Sequence, residues 1–505
     1  MKRWWPLCVW GLLAGWMWWW LGANPLPDGY QNEYLHLGNA LDLWEALQRW
    51  DVWHLRWYMY TYYWPWGFYA VPWPLMGLLG AGRLALVSGN LVHLGVLLWA
   101  TAKMGRTLQA PLAPLLVALC PGVFGCLVRF EPNLADIAWT TAGVALLLDS
   151  RRLRDVRAVI GWGVCLGIGL MMDRLSVLFF LVPAVLPLLW PLSRRALRNV
   201  GLGLGAALLL SAAYYREFFL RHTSELLSQA PLGEIDAAGA VSIGGGWLYY
   251  PLVLVDSQAG PVIGALMLWG LGAAAVRCWR RRDDPSAVIL AAVLPAVIFF
   301  TLISKQQAYY TLPILGPLAV LAAGRGHVAW LGGLGGLWSL LAVGVGVVPG
   351  GPWLPEDWVA PRHVLARPPS WQSWPLDEAL AVLDAAPDAQ LLVLSEDSTL
   401  FEGFVVLAVR EAWPGRSVRG VTLDPVGSHE LLSEIDGFVW VGDVGARWPT
   451  ARQIRLELVL DHMDMSSLPP IDEALAEAAD SFTEVGRWPA GDREMVVFVA
   501  REAAP

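Results

Sequence analysis

The sequence predicts a polytopic α-helical membrane protein of about 11 transmembrane helices, with a small α/β domain at its C-terminal end. Three observations predict it. The 505 residues are 56% hydrophobic, too apolar for a soluble enzyme of this length. Long apolar segments alternate with short runs of Lys and Arg. After residue 350 the pattern changes to acidic loops between short strand-like and helix-like segments.

The basic runs order the membrane part. They are Lys2-Arg3, Lys103 with Arg106, Arg151 to Arg157, Arg194 to Arg198, Arg277 to Arg282, and Arg325. Positive loops stay cytoplasmic, so the chain must leave and return between successive runs. Spans near 4–23, 84–102, 110–128, 134–149, 158–172, 175–190, 199–219, 258–276, 286–303, 309–323 and 328–348 satisfy that rule. They put the N-terminus in the cytoplasm and the C-terminal domain outside, in a multi-pass protein of the inner (plasma) membrane. Residues 4–23 read as a retained first helix rather than a cleaved signal peptide, because further spans follow. The spans 158–172 and 175–190 are short, and the flanking basic runs demand a hairpin that turns at Asp173-Arg174.

The domain division follows: a transmembrane domain over 1–349, a Pro- and Trp-rich linker over 350–375, and an extracytoplasmic α/β domain over 376–505. Within the first domain, 24–83 form a long first outer loop. Leu37, Leu41, Trp44, Leu47 and Trp50 recur there at helical spacing, which predicts an interfacial helix. The aromatic stretch that follows predicts a second interfacial or re-entrant segment, suited to a belt or to a wall for a lipid chain. The 31 Trp residues fit interfacial belts. In the tail, QLLVLSED, GFVWVGD and REMVVFVARE read as strands, and STLFEGFVVLAVREAW and PPIDEALAEAADSF as helices. The five cysteines show neither disulfide nor zinc spacing and read as buried small hydrophobes.

Parity gathers polar groups on the outer face. Asp28, Glu33, Arg129, Glu131, Asp136, Asp173, Arg174, Lys305 and the pair Tyr309-Tyr310 all fall outside or within a turn or two of that boundary. Charges at such a depth are costly and mark function, or else they are ordinary headgroup-level loop charges. A transporter or flippase of a lipid or glycan would carry polar groups at mid-depth, where this chain has only Asn90 and His93. A non-catalytic membrane scaffold is a further alternative. The short basic runs are topological and give no support to nucleic-acid binding.

Five stretches resemble the GT-C membrane glycosyltransferases, the superfamily of protein O-mannosyltransferases and the lipid A aminoarabinose transferase. PDGYQNEY at 27–34 resembles their acidic opening motif. YYWPWGFYAVPWPLMGLLG with Arg83 resembles the segment that leads into their second helix. RFEPNLAD at 129–136, GIGLMMDRLSVLFFLVPA at 167–184 and SKQQAYYTLPILGPLAVLAA at 304–323 resemble three later ones. Three departures stand out: Asp-Gly replaces the common Asp-Glu at 28–29, Asp173-Arg174 replaces Thr-Lys, and Glu131 and Asp136 compete for a single acidic place.

The resemblance implies a GT-C-like fold. It also implies transfer of a hexosyl or pentosyl group from a polyprenyl-phosphate donor to a lipid, glycan or protein acceptor beside membrane lipids. On that reading a carboxylate takes the acceptor's proton, Asp28 first and Glu33 second. Arg174 and Lys305, then Arg129, meet the phosphate, and Tyr309 or Tyr310 donates to it. Some family members hold a divalent cation, Mg or Mn, for which Glu131 and Asp136 are the candidates.

Overall fold

The computed structural model describes residues 4–24, 31–60, 64–174, 176, 178, 182–188, 192–228, 246–281, 284–302, 308–324, 326–359, 366–369, 391–395, 437–443, 482–490 and 493–500. The chain divides into two compact units. One is Met1–Gly22, Asp42–Glu234 and Val241–Pro369; the other is Ala23–Leu41, Ile235–Ala240 and Ser370–Pro505.

The helices run in order: α1 Trp5–Ala23, α2 Gln31–Gln48, α3 Val52–Tyr60, α4 Gly67–Ala70, α5 Trp73–Leu79, α6 Arg83–Ser88, α7 Asn90–Thr107, α8 Ala113–Ala118 and α9 Pro121–Leu127. They continue with α10 Asn133–Asp149, α11 Val156–Met172, α12 Val182–Val185, α13 Arg194–Ser228, α14 Tyr249–Val253, α15 Pro261–Arg280, α16 Ser286–Leu302, α17 Leu315–Ala323, α18 Ala329–Ser339 and α19 Glu356–Val359. Three described stretches are long and apolar enough to cross a membrane: Arg83–Thr107, Arg194–Phe218 and Pro261–Arg280. The shorter apolar helices include α11 and α16.

Local chemistry sets the boundaries. Asp155 caps α11, its carboxylate accepting from the Arg157 N–H at 2.9 Å and the Ala158 N–H at 3.4 Å. The predicted span 110–128 is broken into α8 and α9. Cys120 is extended between them and Pro121 starts the second helix, where its missing N–H costs nothing. The predicted span 309–323 begins as a 3-10 turn over Ala308–Ile314, with Pro313 inside it. Asn199 donates to the Leu153 and Arg154 carbonyls at 2.9 and 3.0 Å, which ties the basic α10–α11 loop to the start of α13.

The α1 tryptophans do more than line an interface. The Trp10 indole donates to the Leu91 carbonyl at 2.8 Å and Trp18 to the Ser88 hydroxyl at 3.1 Å. Trp16 and Trp20 donate to the carbonyls of Gly344 and Arg367, both at 3.2 Å. Away from water each such bond is worth keeping, so α1 is fastened on two sides by ring N–H groups.

Helix α10 runs through the interior of this unit, packed by α7, α11, α16 and α17. Its small residues Ala135, Ala138, Ala142 and Ala145 are fully buried and let neighbours approach closely. Asp136, one turn into α10, is carried inward with them.

In the other unit, strands β1 Leu391–Ser395, β2 Gly437–Asp443, β3 Phe482–Ala490 and β4 Arg493–Ala500 form one sheet in the order β1-β2-β4-β3. β1 and β2 are parallel, and the other neighbours are antiparallel. The two helices expected in the tail lie outside the described residues. Strand β3 was not among the expected elements. It carries Gly486 and Pro489 and pairs with a register shift between Glu484 and Gly486.

Candidate active site

The turn after α11 is the centre of the site. Asp173 ends the helix in an extended conformation, its N–H bonded to the Gly169 carbonyl at 2.8 Å. Three residues on, Ser176 is fully buried and its hydroxyl donates a short hydrogen bond to Asp136. Gly169 permits that approach, since a Cβ there would stand 2.7 Å from the Ser176 hydroxyl oxygen. Asp136 and Asp173, both buried, are close enough to repel electrostatically.

Helix α13 closes the cluster. The Tyr215 hydroxyl donates to the Leu170 carbonyl at 2.9 Å, and the ring lies within electrostatic range of Asp136, Asp173 and Arg174. The Arg174 guanidinium sits over two aromatic faces, 5.0 Å from the Trp64 ring centre and 5.2 Å from that of Phe218. Carboxylates, a guanidinium and a phenol are thus gathered from three separate parts of the chain.

Arg129 and Glu131 occupy the loop before α10, and both are buried. Asn90 shapes that loop by donating to the carbonyls of Cys126 and Leu127, each at 3.2 Å, and of Arg129 at 2.7 Å. Asn133 donates to the Glu131 carboxylate at 2.7 Å. Phe130 stacks on Phe68 at 4.6 Å, and Phe68 on the buried His93 at 6.3 Å. Gly67 lies against Met171, where a Cβ would come 2.6 Å from the Met171 carbonyl oxygen. The aromatic stretch of the first outer loop therefore touches both the Asp173-Arg174 turn and the Arg129 loop.

Tyr309 and Tyr310 fall in a neighbouring aromatic group. Tyr310 stacks on Phe300 at 4.9 Å, in a cluster with Tyr249, Tyr250 and Val359. Leu178, two residues beyond Ser176, packs against the same cluster. The structure thus assembles Asp136, Asp173 and Arg174 directly, places Arg129 and Glu131 at the adjoining loop, and sets Tyr310 against the apolar cluster that Leu178 joins, with Tyr309 edge-on to Tyr310 at 5.0 Å. Asp28 and Lys305 lie outside the described residues. Ser176, Tyr215, Trp64 and Phe218 were not among the expected site residues. Only the helical spacing of Tyr214, Tyr215 and Phe218 in the sequence hinted at a shared face.

Glu33 lies in the first turn of α2, within the other unit, and is fully buried. His36, one turn later, is buried too, and burial lowers its ring pKa to about 3. The sign is clear. The folded value lies below the unfolded one, so the unfolded chain takes up the proton first. Stability present above pH ~6.5 is lost as pH falls, by roughly 1.4 kcal/mol per pH unit while the unfolded ring alone is charged. The thermal midpoint is expected to drop between pH 7.5 and 5.5 by more in the wild type than in His36→Phe. Equal drops would remove His36 from the acid response.

The two carboxylates expected to hold a cation, Glu131 and Asp136, each engage one oxygen with a neighbouring side chain. Glu131 is held by Asn133, Asp136 by Ser176, and the carboxylate beside Asp136 is Asp173. Among the described residues no group of three or more His, Cys, Asp and Glu side chains is placed to hold an ion.

No protein-family model and no curated protein matches the sequence. Solved structures do match. ArnT from Cupriavidus metallidurans, bound to undecaprenyl phosphate, superposes over 100% of both chains with a TM-score of 0.60 at 15% identity. Its apo form gives 0.54 at 16% identity, covering 96% of this chain and 97% of that one. The archaeal oligosaccharyltransferase AglB from Archaeoglobus fulgidus, in complex with an inhibitory peptide and a dolichol-phosphate, gives 0.51 at 11% identity, over 100% of this chain and 75% of its own. The chain shares the fold of these structures over its whole length.

Proposed function

We propose that this chain is an integral-membrane glycosyltransferase that moves a sugar from a polyprenyl-phosphate donor to an acceptor on the extracytoplasmic face. The observation that carries the reading is the cluster of Asp136, Asp173, Arg174 and Tyr215 at the α11 turn, in a fold shared end to end with a protein that binds undecaprenyl phosphate. Phosphate chemistry needs a fixed cation beside a wall for the lipid, and Arg174 against Trp64 and Phe218 supplies that combination.

In the reaction, the acceptor oxygen forms a bond to the anomeric carbon as the bond from that carbon to the phosphate oxygen breaks. The acceptor's proton passes to a carboxylate, for which Asp28 and then Glu33 are the bases. The polyprenyl phosphate leaves with added negative charge, which Arg174 meets first. Lys305 and Arg129 are the further cations, and Tyr309 or Tyr310 a hydrogen-bond donor. Asp136, buried and bonded to Ser176, orders the turn that presents Arg174. No step is routed through a metal.

The test incubates membranes carrying the protein with a labelled polyprenyl-phosphate sugar, with and without a chelator. Transfer of label to a lipid, glycan or protein fraction is expected, and the chelator arm reads whether a divalent cation at Glu131 and Asp136 takes part. Loss of transfer on chelation would return a cation to the site, and no transfer from any such donor would overturn the enzyme reading.

A further inference from the structure

A polar cavity of about 270 Å³ lies where the ends of α7, α15 and α17 meet the start of α16. Thr107, Gln109, Arg277, Asp284, Ser286 and Leu321 are among the residues that line it. That volume is far more than one water needs. The cavity is remote from the α11 turn. Asn90 starts α7 and braces the Arg129 loop, while Thr107 ends the same helix at the cavity. The 18 residues between them rise roughly 26 Å. Two of the stretches long enough to cross a membrane, Arg83–Thr107 and Pro261–Arg280, both end here. The cavity therefore sits at headgroup level, and the basic runs assign this face to the cytoplasm. The indoles agree. Trp279 is 90% exposed beside Arg280, and Trp99 lies 5.8 Å below the Lys103 ammonium. Exposed rings at the end of a span face lipid headgroups.

The lining is built rather than incidental. Arg277 donates from Nη2 to the Ser286 hydroxyl at 3.1 Å, and its Nε stands 3.5 Å from the Asp284 carboxylate. Asp284 is held in turn by the N–H of the buried Ser286 at 2.8 Å. Among the described residues nothing bonds the Nη1 amino group, which carries two further donors. Gln109 lines the same cavity at a φ of 54°, a left-handed backbone that a glycine takes without strain. The chain keeps an amide there, and with it more N–H donors. Charge then selects the ligand. Segments 103–109 and 277–286 carry Lys103, Arg106, Arg277, Arg280, Arg281 and Arg282 against only Asp283 and Asp284. A phosphate diester brings one negative charge and two free oxygens, which suit a guanidinium in a basic surround.

We propose that this cavity binds the phosphate of an anionic glycerophospholipid from the cytoplasmic leaflet, with Arg277 as the main donor and Gln109 beside it. The bound lipid ties together the ends of α7, α15 and α17 and the start of α16. It takes no part in transfer, and its site stands whether or not the proposed function does.

The test places the full-length protein in phosphatidylcholine nanodiscs, titrates in phosphatidylglycerol, and reads bound lipid by native mass spectrometry. The titration runs in about 0.5 M salt, where the Debye length is roughly 4 Å and the general pull of a basic surface is screened. Wild type is expected to hold phosphatidylglycerol about tenfold more tightly than phosphatidylcholine, and Arg277→Gln to lose that margin. Arg280→Gln removes the same charge from outside the cavity lining and should stay within about twofold of wild type. Because Arg277→Gln also frees Asp284, Gln109→Gly is the second variant. It keeps every charge, suits the backbone, and is expected to bind about threefold more weakly. Equal losses in Arg277→Gln and Arg280→Gln, no preference in wild type, or unchanged binding in Gln109→Gly would overturn the proposal. A final arm adds free glycerol phosphate to nanodiscs of phosphatidylcholine alone. No bound mass is expected; a stoichiometric one would make the occupant a soluble phosphate and overturn the lipid assignment.

Discussion

Asp28→Asn is expected to lower transfer turnover roughly 10²–10⁴-fold, the range seen when a general base is lost, and to leave binding of polyprenyl phosphate within about twofold. The acceptor's proton must go somewhere as its oxygen attacks, and asparagine keeps the shape of aspartate without the capacity to take it. Phosphate binding depends on the cations, so it should survive. Glu33→Gln provides the contrast. Glu33 is fully buried in the first turn of α2, a position equally consistent with anchoring that helix. If Glu33→Gln lost turnover and Asp28→Asn did not, the base would be reassigned to Glu33. If neither changed the rate, proton abstraction by this acidic motif would be wrong. Ser176→Ala should behave differently from both. It releases Asp136 inside the protein, so weakened binding through a disordered Arg174 turn is expected before any change in the chemical step.

Much of the helical framework was legible because basic runs and apolar lengths are local signals. The span expected at 134–149 is helix Asn133–Asp149, and that expected at 158–172 is Val156–Met172. The break at Cys120-Pro121 was visible as a proline, yet the length of the apolar run around it outweighed that sign. Strand β3 was missed for the opposite reason: Gly486 and Pro489 read as turn punctuation, while pairing with β4 tolerates both through a bulge. In the site, the Asp173-Arg174 turn followed from topology alone. Its partners did not. That Ser176 reaches Asp136 depends on where α11 packs against α10, and that Phe218 covers Arg174 on where α11 and α13 cross; no periodicity within these helices encodes either crossing. The α1 tryptophans are a similar case. An indole suits a membrane interface by composition, and only the packed structure gives its N–H a carbonyl to bond.

The crossing itself supplies the second large effect. Val159, Gly163 and Gly167 form one row along α11, and Gly203 and Ala207 the facing row on α13. A Cβ at Gly163 would fall on the carbonyl of Gly203, and one at Gly167 would lie 2.9 Å from that of Ala207. A Cβ at Gly203 would in turn meet the Val159 carbonyl at 2.7 Å. In an apolar solvent no hydrophobic force draws helices together, so close backbone approach through small residues is what holds such a pair. Gly163→Ala must therefore push the helices apart along the axis that carries Leu170 to Tyr215 and Arg174 to Phe218. A destabilisation of about 1–3 kcal/mol is expected from the overpacking, with donor binding and transfer lost together because the turn no longer faces its aromatic partners. Gly201→Ala and Gly205→Ala are the controls: a Cβ at either meets nothing within 4 Å, and each should be neutral or gain slightly from better helix propensity. Thermal stability and donor Kd measured on all three variants separate the cases. If Gly163→Ala matched its controls in both, the site would owe its shape to something other than the contact of α11 with α13.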